Sequence, residues 1–484
     1  MSDNKSADEL VISYLFPPSS DVSGMVLAKR YMVLEKQFDV IQANVKDGLD
    51  KEFEKYVDRY TNEKIVIDVD CNPNFPNCIF DFVDKSMMEL EKRQVYKRIY
   101  TRVWKMANNF LALEYKLKHP EVHWTAEFSD PLLYDIHNRR RDTDKGKDVK
   151  DSKYLDKINE AIKNLNKSEG TDFKLLENPT NLHVLVEYVA YLFADEVVFT
   201  NTHQRQIMLD QFPIDVKDFV MAKSVIDPQP VLGDEYYHVR DFDAGLDSSK
   251  INIGYFGNLY SKRHFEDVFY AFEVLRHKYK NRLVFHFYIN NKELFMKLTE
   301  NLEISDNIEI RDTIDYLDFL NLTTKFDVLV INDLLTKDSF NLNPYRPSKL
   351  SDYIGSKTDI WAICEKGSIL DAADVKYKSY INDFQSNIDA LINILKDNSL
   401  DDDDCSLADG EVYVQKRIVG LNAFIESEEK QIDIANDKIK RLKKEIEKLE
   451  KENSQLMSEN EEILSSNSWK LTKNFRKVGK LVKK

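Results

Sequence analysis

The sequence predicts an α/β protein with two domains, each built around a mainly parallel sheet, followed by a coiled-coil helix and a basic tail. Short apolar runs alternate with helix-length amphipathic segments; this alternation stops near residue 241, restarts near residue 251, and gives way to a heptad pattern towards the C-terminus. The 484 residues exceed what one hydrophobic core usually holds, and a hydrophobic content of 42% is enough to fill two.

The first domain is predicted to span 1–240. Its apolar runs are, in order, LVISYLF, FDVIQANV, KIVIDVD, VHWTAEF, EVVFTN and DFVMAKSVI, and helix-length segments at 85–117 and 181–193 lie between them. Residues 139–170 are dense in charge and only partly helical in pattern. We therefore expect them to form an insertion, most simply a solvated surface elaboration.

The second domain is predicted to span 250–408. Its strand candidates are INIGYFGNLY, RLVFHFYI, NIEIRD, DVLVIND and DIWAIC, with helices at 265–279 and near 293–302. Two such domains in one chain place a ligand in the cleft between the carboxyl ends of their strands. The polar turns at those ends are therefore the candidate binding residues.

Two of these turns carry a glycine or a pair of cations. Gly24 opens a helix after FPPSSDVS, where a glycine lets the backbone approach a ligand and free N–H groups favour an anion, although an ordinary turn explains it equally well. Lys262 and Arg263 follow the first strand of the second domain. Arg263 could grip a diphosphate through two parallel hydrogen bonds; the alternative is an ordinary pair of surface cations.

A third turn, NPYRPSKLSDYIG, precedes a helix that begins after Pro347. Lys349, Asp352 and Tyr353 lie at this helix start, where a carboxylate can accept two hydrogen bonds from a ribose diol while N–H groups face phosphate. Ser348 could also be a simple N-cap of the helix.

The ordered motifs FPPSSDVSGMVLAKR, WTAEFSDP, ADEVVFTNTHQRQIML, GYFGNLYSKR and NPYRPSKLSDYIGSKTDIWAICEKGS resemble those of family 4 glycosyltransferases, which have the GT-B fold. The resemblance runs from about residue 11 to residue 370. It implies two Rossmann-like domains facing a cleft, a nucleotide-sugar donor bound mostly by the second domain, a glycan or lipid-linked acceptor bound mostly by the first, and no cofactor or obligatory metal. The implied activity is that of a metal-independent hexosyltransferase acting in surface-polysaccharide synthesis.

The resemblance also implies roles for single residues. Gly24 matches the glycine-loop position, Arg263 the cation that faces the donor diphosphate, and Asp352 the acid that faces the ribose. Lys349 is similar to a phosphate-binding lysine of related branches. Pro344 stands where the family has the first acid of its pair, so a catalytically idle scaffold that organises partner glycosyltransferases at the membrane remains an alternative.

Two carboxylates are candidates for activating the acceptor. Asp130 and, less strongly, Glu127 lie in WTAEFSDP, where relatives carry a polar active-site residue after a strand. Either could orient or deprotonate an acceptor hydroxyl. Asp130 could instead be a helix cap before Pro131.

A competing motif is KIVIDVDCNPN, which places Asp68 and Asp70 in D-x-D spacing after an apolar run. Metal-dependent glycosyltransferases of the GT-A fold hold a divalent cation in this way. That alternative does not account for the second predicted sheet.

A coiled coil is predicted over 424–466. Positions Ile425, Ile432, Ile439, Ile446, Asn453 and Asn460 recur every seven residues, and Ala435, Leu442, Leu449, Leu456 and Ile463 follow three places later. Isoleucine at a with leucine at d favours a parallel dimer, and asparagine at a sets the register. A single long helix packed on its own domain is the alternative.

The segment 467–484 is predicted to be a basic amphipathic tail. From residue 468 onward it has seven cations and no anion, whereas the whole chain has a net charge of −15, so the body is acidic and we expect no nucleic-acid binding. Its apolar residues recur at nearly helical spacing, which is typical of helices that lie on anionic membranes, although a disordered solvated tail fits too. Four cysteines without paired C-x-x-C spacing and no long apolar window predict a cytoplasmic protein, peripheral on the inner face of the cell membrane.

Overall fold

The computed structural model describes residues 7–69, 74–257, 265–279, 281–290, 292–299 and 302–398, together with positions 430, 438 and 455. The chain divides into two compact units, Met1–Ile418 and Val419–Lys484. All elements given below belong to the first unit. The predicted coiled coil and basic tail lie outside the described residues, apart from those three isolated positions.

The described residues in the N-terminal half of the first unit form nine strands: β1 (Glu9–Ile12), β2 (Phe38–Ala43), β3 (Thr61–Ile67), β4 (Arg98–Val103), β5 (His123–Phe128), β6 (Asp148–Val149), β7 (Thr180–Asn181), β8 (Glu196–Phe199) and β9 (Ser224–Ile226). Seven of them form a parallel sheet in the order β3-β2-β1-β4-β5-β8-β9, and β6 pairs with β7 separately. Successive crossovers run in opposite directions from β1, so the topological switch point of this first sheet lies between β1 and β4.

In the part of this half that the structure describes, eight α-helices accompany these strands: α1 (Val22–Leu34), α2 (Lys51–Val57), α3 (Pro76–Leu90), α4 (Ala107–Lys118), α5 (Ser152–Glu169), α6 (Leu182–Phe193), α7 (Thr202–Leu209) and α8 (Ile214–Lys223). Helix α1 begins at a polar cap, because the Asp21 carboxylate accepts hydrogen bonds from the N–H groups of Ser23 and Gly24. It ends at Glu35, which adopts a left-handed conformation.

Among the described residues, the second sheet has six parallel strands: β10 (Ile251–Phe256), β11 (Leu283–Tyr288), β12 (Ile308–Arg311), β13 (Val328–Asn332), β14 (Asp359–Cys364) and β15 (Tyr377–Tyr380). Their order is β12-β11-β10-β13-β14-β15, with a switch point between β10 and β13. The accompanying helices are α9 (Glu266–Tyr279), α10 (Lys292–Thr299), α11 (Tyr316–Thr323), α12 (Lys349–Ser356) and α13 (Phe384–Asp397). Strands β10, β11 and β13 are buried throughout, as expected for parallel strands covered on both faces.

Two predicted features of the N-terminal half were wrong. The helix-length segment at 85–117 is interrupted by β4, which pairs with both β1 and β5 near the centre of the first sheet. The charged region 139–170 is more than a solvated elaboration, because α5 buries Leu155, Ile158 and Ile162 in the core. One face of this helix is apolar and the other charged, so its overall composition concealed the packing face.

A continuous apolar cluster connects the two halves. It extends from Phe16 and Leu27 near α1, through Tyr237 in the segment between the sheets, to Phe256 and Tyr353 beside the second sheet. Burial of this shared cluster favours a fixed arrangement of the two sheets.

None of the described helices combines the length and the apolar composition that crossing a bilayer requires. Cys364 is a free, buried thiol, whereas Cys78 is disulfide-bonded. This disulfide bond was not predicted from the sequence, because the cysteines show no paired C-x-x-C spacing.

Candidate functional site

A cavity of about 460 Å³ lies between the two sheets. One wall is formed by α1 and by the residues preceding α2, including Lys29 and Asp50. The opposite wall is formed by the carboxyl ends of β10 and β11, the residues before α11 and the start of α12. The cavity therefore lies at the carboxyl edge of the second sheet, where doubly wound proteins bind their ligands.

The floor of the cavity includes Gly257, which follows β10 with a φ of +147° that side chains rarely tolerate. A Cβ at this position would lie 3.1 Å from the Tyr255 hydroxyl and 3.7 Å from Lys349 Nζ. Because Gly257 has no side chain, space is left beside the Lys349 ammonium at this point of the cavity wall.

Lys349 and Ser348 line the cavity at the start of α12. Ser348 occupies the N-cap position, but its side chain makes no capping hydrogen bond, so the interpretation of this serine as a simple cap was wrong. A helix start with a lysine beside it favours an anionic ligand.

Asp352 lies in the first turn of α12 and is 5% exposed. Its Oδ1 accepts hydrogen bonds from Lys29 Nζ and from the Tyr316 hydroxyl, each at 2.7 Å. Lys29 belongs to α1, so this buried ion pair joins the two walls of the cavity. Burial and the charge of Asp352 raise the pKa of Tyr316 well above its ordinary value, which keeps the hydroxyl protonated as a donor.

The residues that precede α12 are held by a buried carboxylate that the sequence did not single out. Glu365 accepts hydrogen bonds from the Thr336 N–H at 2.9 Å and hydroxyl at 2.7 Å, from the Lys337 N–H at 2.6 Å and from Asn343 Nδ2 at 2.8 Å. These bonds fix the connection between β13 and α12. No local signal marks Glu365, because its partners lie 22 to 29 residues earlier in the chain.

Arg346 is a second residue that sequence reasoning missed. Its guanidinium hydrogen-bonds to the side-chain oxygen of Gln229, from the segment between the two sheets. Burial lowers the pKa of Arg346, and the charge of Asp352 opposes this effect. The Arg346 guanidinium and the Asp352 carboxylate therefore interact electrostatically. The sequence already places this arginine six residues before Asp352, but only the fold brings Gln229 to it from 117 residues earlier.

Two predicted donor-binding residues have other roles in the structure. A Cβ at Gly24 would lie 1.9 Å from the Leu15 carbonyl oxygen, so this glycine permits the close packing of α1 on the preceding loop. Tyr353 is 1% exposed and packs in the apolar cluster near Phe256 and Phe319. The prediction of Tyr353 as a donor contact was therefore wrong, because this side of α12 faces the core.

The environment of Glu127 argues against the predicted role of this residue as a catalytic base. Its Oε2 accepts hydrogen bonds from Arg30 Nε at 2.8 Å and the Tyr100 hydroxyl at 2.9 Å, and its Oε1 accepts from Arg30 NH2 and Arg102 Nε, both at 2.9 Å. Burial alone would raise the pKa of Glu127, but the charges of Arg30 and Arg102 and these hydrogen bonds lower it to about 2. Both carboxylate oxygens are thus fully engaged, and the group is a poor proton acceptor.

Asp130, three residues further on, has the opposite environment. It is partly buried in the loop after β5, and no group among the described residues donates a hydrogen bond to its carboxylate. Burial raises the pKa of Asp130, although the charges of Arg102 and Arg141 act to lower it. Its carboxylate interacts electrostatically with Tyr345, which lies on the connection leading to α12. Asp130 therefore combines the unpaired state and the raised pKa that suit a general base.

The loop that carries Asp130 rests on a buried glutamate. Oε1 of Glu187, on α6, accepts hydrogen bonds from the N–H groups of Leu132 and Leu133 at 2.9 and 3.1 Å. Burial raises the pKa of Glu187 to about 7, although these N–H donors and the charge of Arg141 oppose the shift. The loop is therefore anchored by a carboxyl that titrates near neutral pH.

We expect Glu187→Gln to remove a pH-dependent part of the stability. The folded chain retains the Glu187 proton to a higher pH than the unfolded chain, whose pKa is near 4.5, so this contribution is present below pH 4.5 and lost as the pH rises through 7. Relative to the wild type, the variant should gain about 2 to 3 kcal/mol between pH 4.5 and pH 8. Urea unfolding at both pH values measures this difference, and parallel pH profiles of the two proteins would contradict it.

The remaining predicted residues are only partly described. Lys262, Arg263 and Asp70 lie outside the described residues, and their predicted roles stay predictions. Asp68 lies after β3, at the edge of the first sheet, and its Oδ1 accepts a hydrogen bond from Asn44 Nδ2 at 2.7 Å. Within the described part of the chain, no group of three or more His, Cys, Asp or Glu side chains is arranged to hold a metal ion.

Two facing doubly wound sheets with a cavity at the carboxyl edge of the second define the GT-B fold. HepE from Anabaena, in complex with UDP-glucose, is similar to this chain with a TM-score of 0.50 and 10% identity, over 87% of this chain and 99% of HepE. Sucrose-phosphate synthase from Thermosynechococcus elongatus is similar with a TM-score of 0.51 and 11% identity, over 88% and 99% of the two chains.

At this identity the likeness establishes the fold, and it confirms the predicted pair of Rossmann-like domains. The alternative GT-A assignment is wrong, because the two-sheet architecture extends over most of the chain. No protein-family model and no curated protein matches the sequence. Membership of family 4 stays a prediction.

Proposed function

We propose that this protein is a glycosyltransferase that moves a sugar from a nucleotide-sugar donor to a glycan or lipid-linked acceptor. The observation that carries the proposal is the cavity between the sheets, which Lys349 and Asp352 line at the start of α12. Its volume lies within the range of about 300 to 1,000 Å³ that small-molecule sites occupy. A related fold binds UDP-glucose in HepE, which supports a nucleotide-sugar as donor.

The proposed reaction assigns separate tasks to the two halves. Lys349, the first N–H groups of α12 and Arg263 would neutralise the donor diphosphate, and Asp352 would hold the ribose. Asp130 would accept the proton of an acceptor hydroxyl as its oxygen forms a bond to the anomeric carbon. As that bond forms, the bond from the anomeric carbon to the diphosphate breaks, and the nucleoside diphosphate leaves with its charge stabilised by the same cations.

Donor turnover tests this proposal against the scaffold alternative. The purified protein should hydrolyse or transfer sugar from a nucleotide-sugar donor, and this activity should persist in excess chelator if no metal is required. A protein that binds nucleotide but never turns a donor over would favour the idle scaffold. That alternative is considered because Pro344 stands where the family has an acid.

Nucleotide affinity is the first quantitative prediction for the site. Asp352→Asn and Arg263→Ala should each weaken nucleotide binding by about 1.5 to 3 kcal/mol, because each removes a charged hydrogen-bonding partner. Isothermal titration calorimetry measures the change, and Lys357→Met, at an exposed position at the end of α12, is the matched control. Unchanged affinity in both site variants would contradict the assignment.

We further propose that the C-terminal segment makes the enzyme a homodimer, cytoplasmic and peripheral on the inner face of the cell membrane. Two parallel helices would bring two seven-cation tails together, and the second tail would then bind as an intramolecular event. Each cation near an anionic surface contributes about 1 kcal/mol before screening.

Liposome flotation tests this proposal. The full chain should be a dimer that floats with anionic liposomes at physiological salt, and a chain ending at residue 467 should stay dimeric without floating. Ile439→Asp combined with Ile446→Asp should give monomers that bind less. Equal flotation of the shortened chain, or a monomeric full-length protein at micromolar concentration, would show the proposal to be wrong.

A further inference from the structure

The two oxygens of the Asp352 carboxylate are in different environments. Oδ1 already accepts two hydrogen bonds, from Lys29 Nζ and from the Tyr316 hydroxyl, and these fill its two lone-pair sites. Among the described residues, no group donates a hydrogen bond to Oδ2, and Asp352 lines the cavity. Only one oxygen of this carboxylate therefore remains for a ligand.

Lys29 supplies hydrogen-bond donors at the same place. It is 2% exposed, lies on α1 and lines the cavity opposite α12. Its ammonium has three N–H donors, of which one binds Asp352 Oδ1. The nitrogen also lies 5.6 Å from the centre of the Tyr316 ring, so the aromatic face helps to hold the charge in this buried position.

We propose that Lys29 and Asp352 together recognise the vicinal diol of the donor ribose, with Oδ2 accepting from one hydroxyl and Lys29 Nζ donating to the other. This inference rests on the proposed function. It differs from the grip predicted from sequence, in which one carboxylate accepts from both hydroxyls, because Oδ1 is occupied.

The assignment makes the ribose site composite. One group comes from α1 of the first half and the other from α12 of the second, so a bound nucleotide contacts both walls of the cavity. It also makes Lys29 a specificity residue, since a deoxynucleotide would leave a buried polar group without its partner.

A cycle of protein and ligand changes tests this inference. Calorimetry first identifies the tightest binder among UDP, GDP, ADP and CDP; its 2′-deoxy and 3′-deoxy analogues are then titrated into the wild type and Lys29→Met. The Lys29→Met change should weaken binding of the ribonucleotide by about 10- to 100-fold. For the analogue that lacks the hydroxyl bound by Lys29, the same change should cost about twofold or less.

The two deoxy analogues separate recognition from a structural effect. If Lys29→Met only loosens the fold or lowers the charge of the cavity, it weakens the ribonucleotide and both analogues by the same factor, and that result overturns the inference. Unchanged binding in Lys29→Met also overturns it. The control is Lys55→Met, which removes an exposed cation from α2 and should leave all affinities unchanged.

Tyr316→Phe provides a second check, because it removes one of the two donors on Oδ1 without changing a charge. When Lys29→Met is added to Tyr316→Phe, it should still weaken binding of the ribonucleotide more than binding of the analogue that lacks the hydroxyl bound by Lys29. Equal weakening of the two ligands overturns the inference. The proposed function fails separately, if none of the four nucleotides binds to the wild-type protein.

Discussion

Glu127→Gln is expected to lower the free energy of unfolding by about 3 to 5 kcal/mol, because it removes the counter-charge of buried Arg102 and leaves Arg30 with Asp227 alone. The Glu127 side chain is fully buried and accepts four hydrogen bonds, from Arg30, Arg102 and Tyr100. A glutamine keeps the shape but removes the charge and replaces one acceptor oxygen with a donor amide. Urea unfolding followed by circular dichroism measures the loss of stability.

The matched control for this variant is Glu52→Gln. The Glu52 side chain is partly exposed and pairs with Lys55 on the same helix and with Arg240, and ion pairs in contact with solvent contribute little, so the change should leave the free energy of unfolding nearly unchanged. If Glu127→Gln unfolds like the wild type yet loses activity, then Glu127 acts in catalysis after all, and its interpretation as a structural carboxylate is incorrect.

Asp130→Asn is expected to lower kcat for sugar transfer by about 10²- to 10⁴-fold, the usual contribution of a general base. The amide cannot accept the proton of the acceptor hydroxyl, whereas the unpaired carboxylate of Asp130 can. Since this residue does not line the nucleotide cavity, donor affinity and the unfolding midpoint should change little. Steady-state kinetics with donor and acceptor, together with calorimetry, separates these effects.

The pH dependence provides a second readout for the same residue. Burial raises the pKa of Asp130, so the wild-type rate should fall on acidification at a higher pH than an ordinary aspartate would give, as the base becomes protonated. Asp215→Asn, at an exposed position in the first turn of α8, is the matched control and should keep both the rate and the profile. A variant at position 130 with normal kcat would contradict the assignment.

The two sheets could be predicted because parallel strands covered on both faces need nearly continuous apolar runs. β10, β11 and β13 are such runs, and each appears directly in the sequence. β4 is the instructive exception, since its sequence RIYTRV contains two arginines and lies among lysines and arginines. Arg102 is accommodated at the centre of the sheet through its hydrogen bonds to Glu127 and Ser23.

The sequence by itself determined the α/β class, the two parallel sheets and the turns at their carboxyl ends, because these depend on local periodicity and on the short-range chemistry of helix starts. Tertiary structure alone decided which carboxylates are free to act. Glu127 and Asp130 are three residues apart, yet partners up to 97 residues away occupy the first, whereas the second is left unpaired among the described residues. Likewise, Asp352 meets Lys29 across 323 residues, so its occupied oxygen follows from the tertiary placement of α1 opposite α12 and from no local pattern.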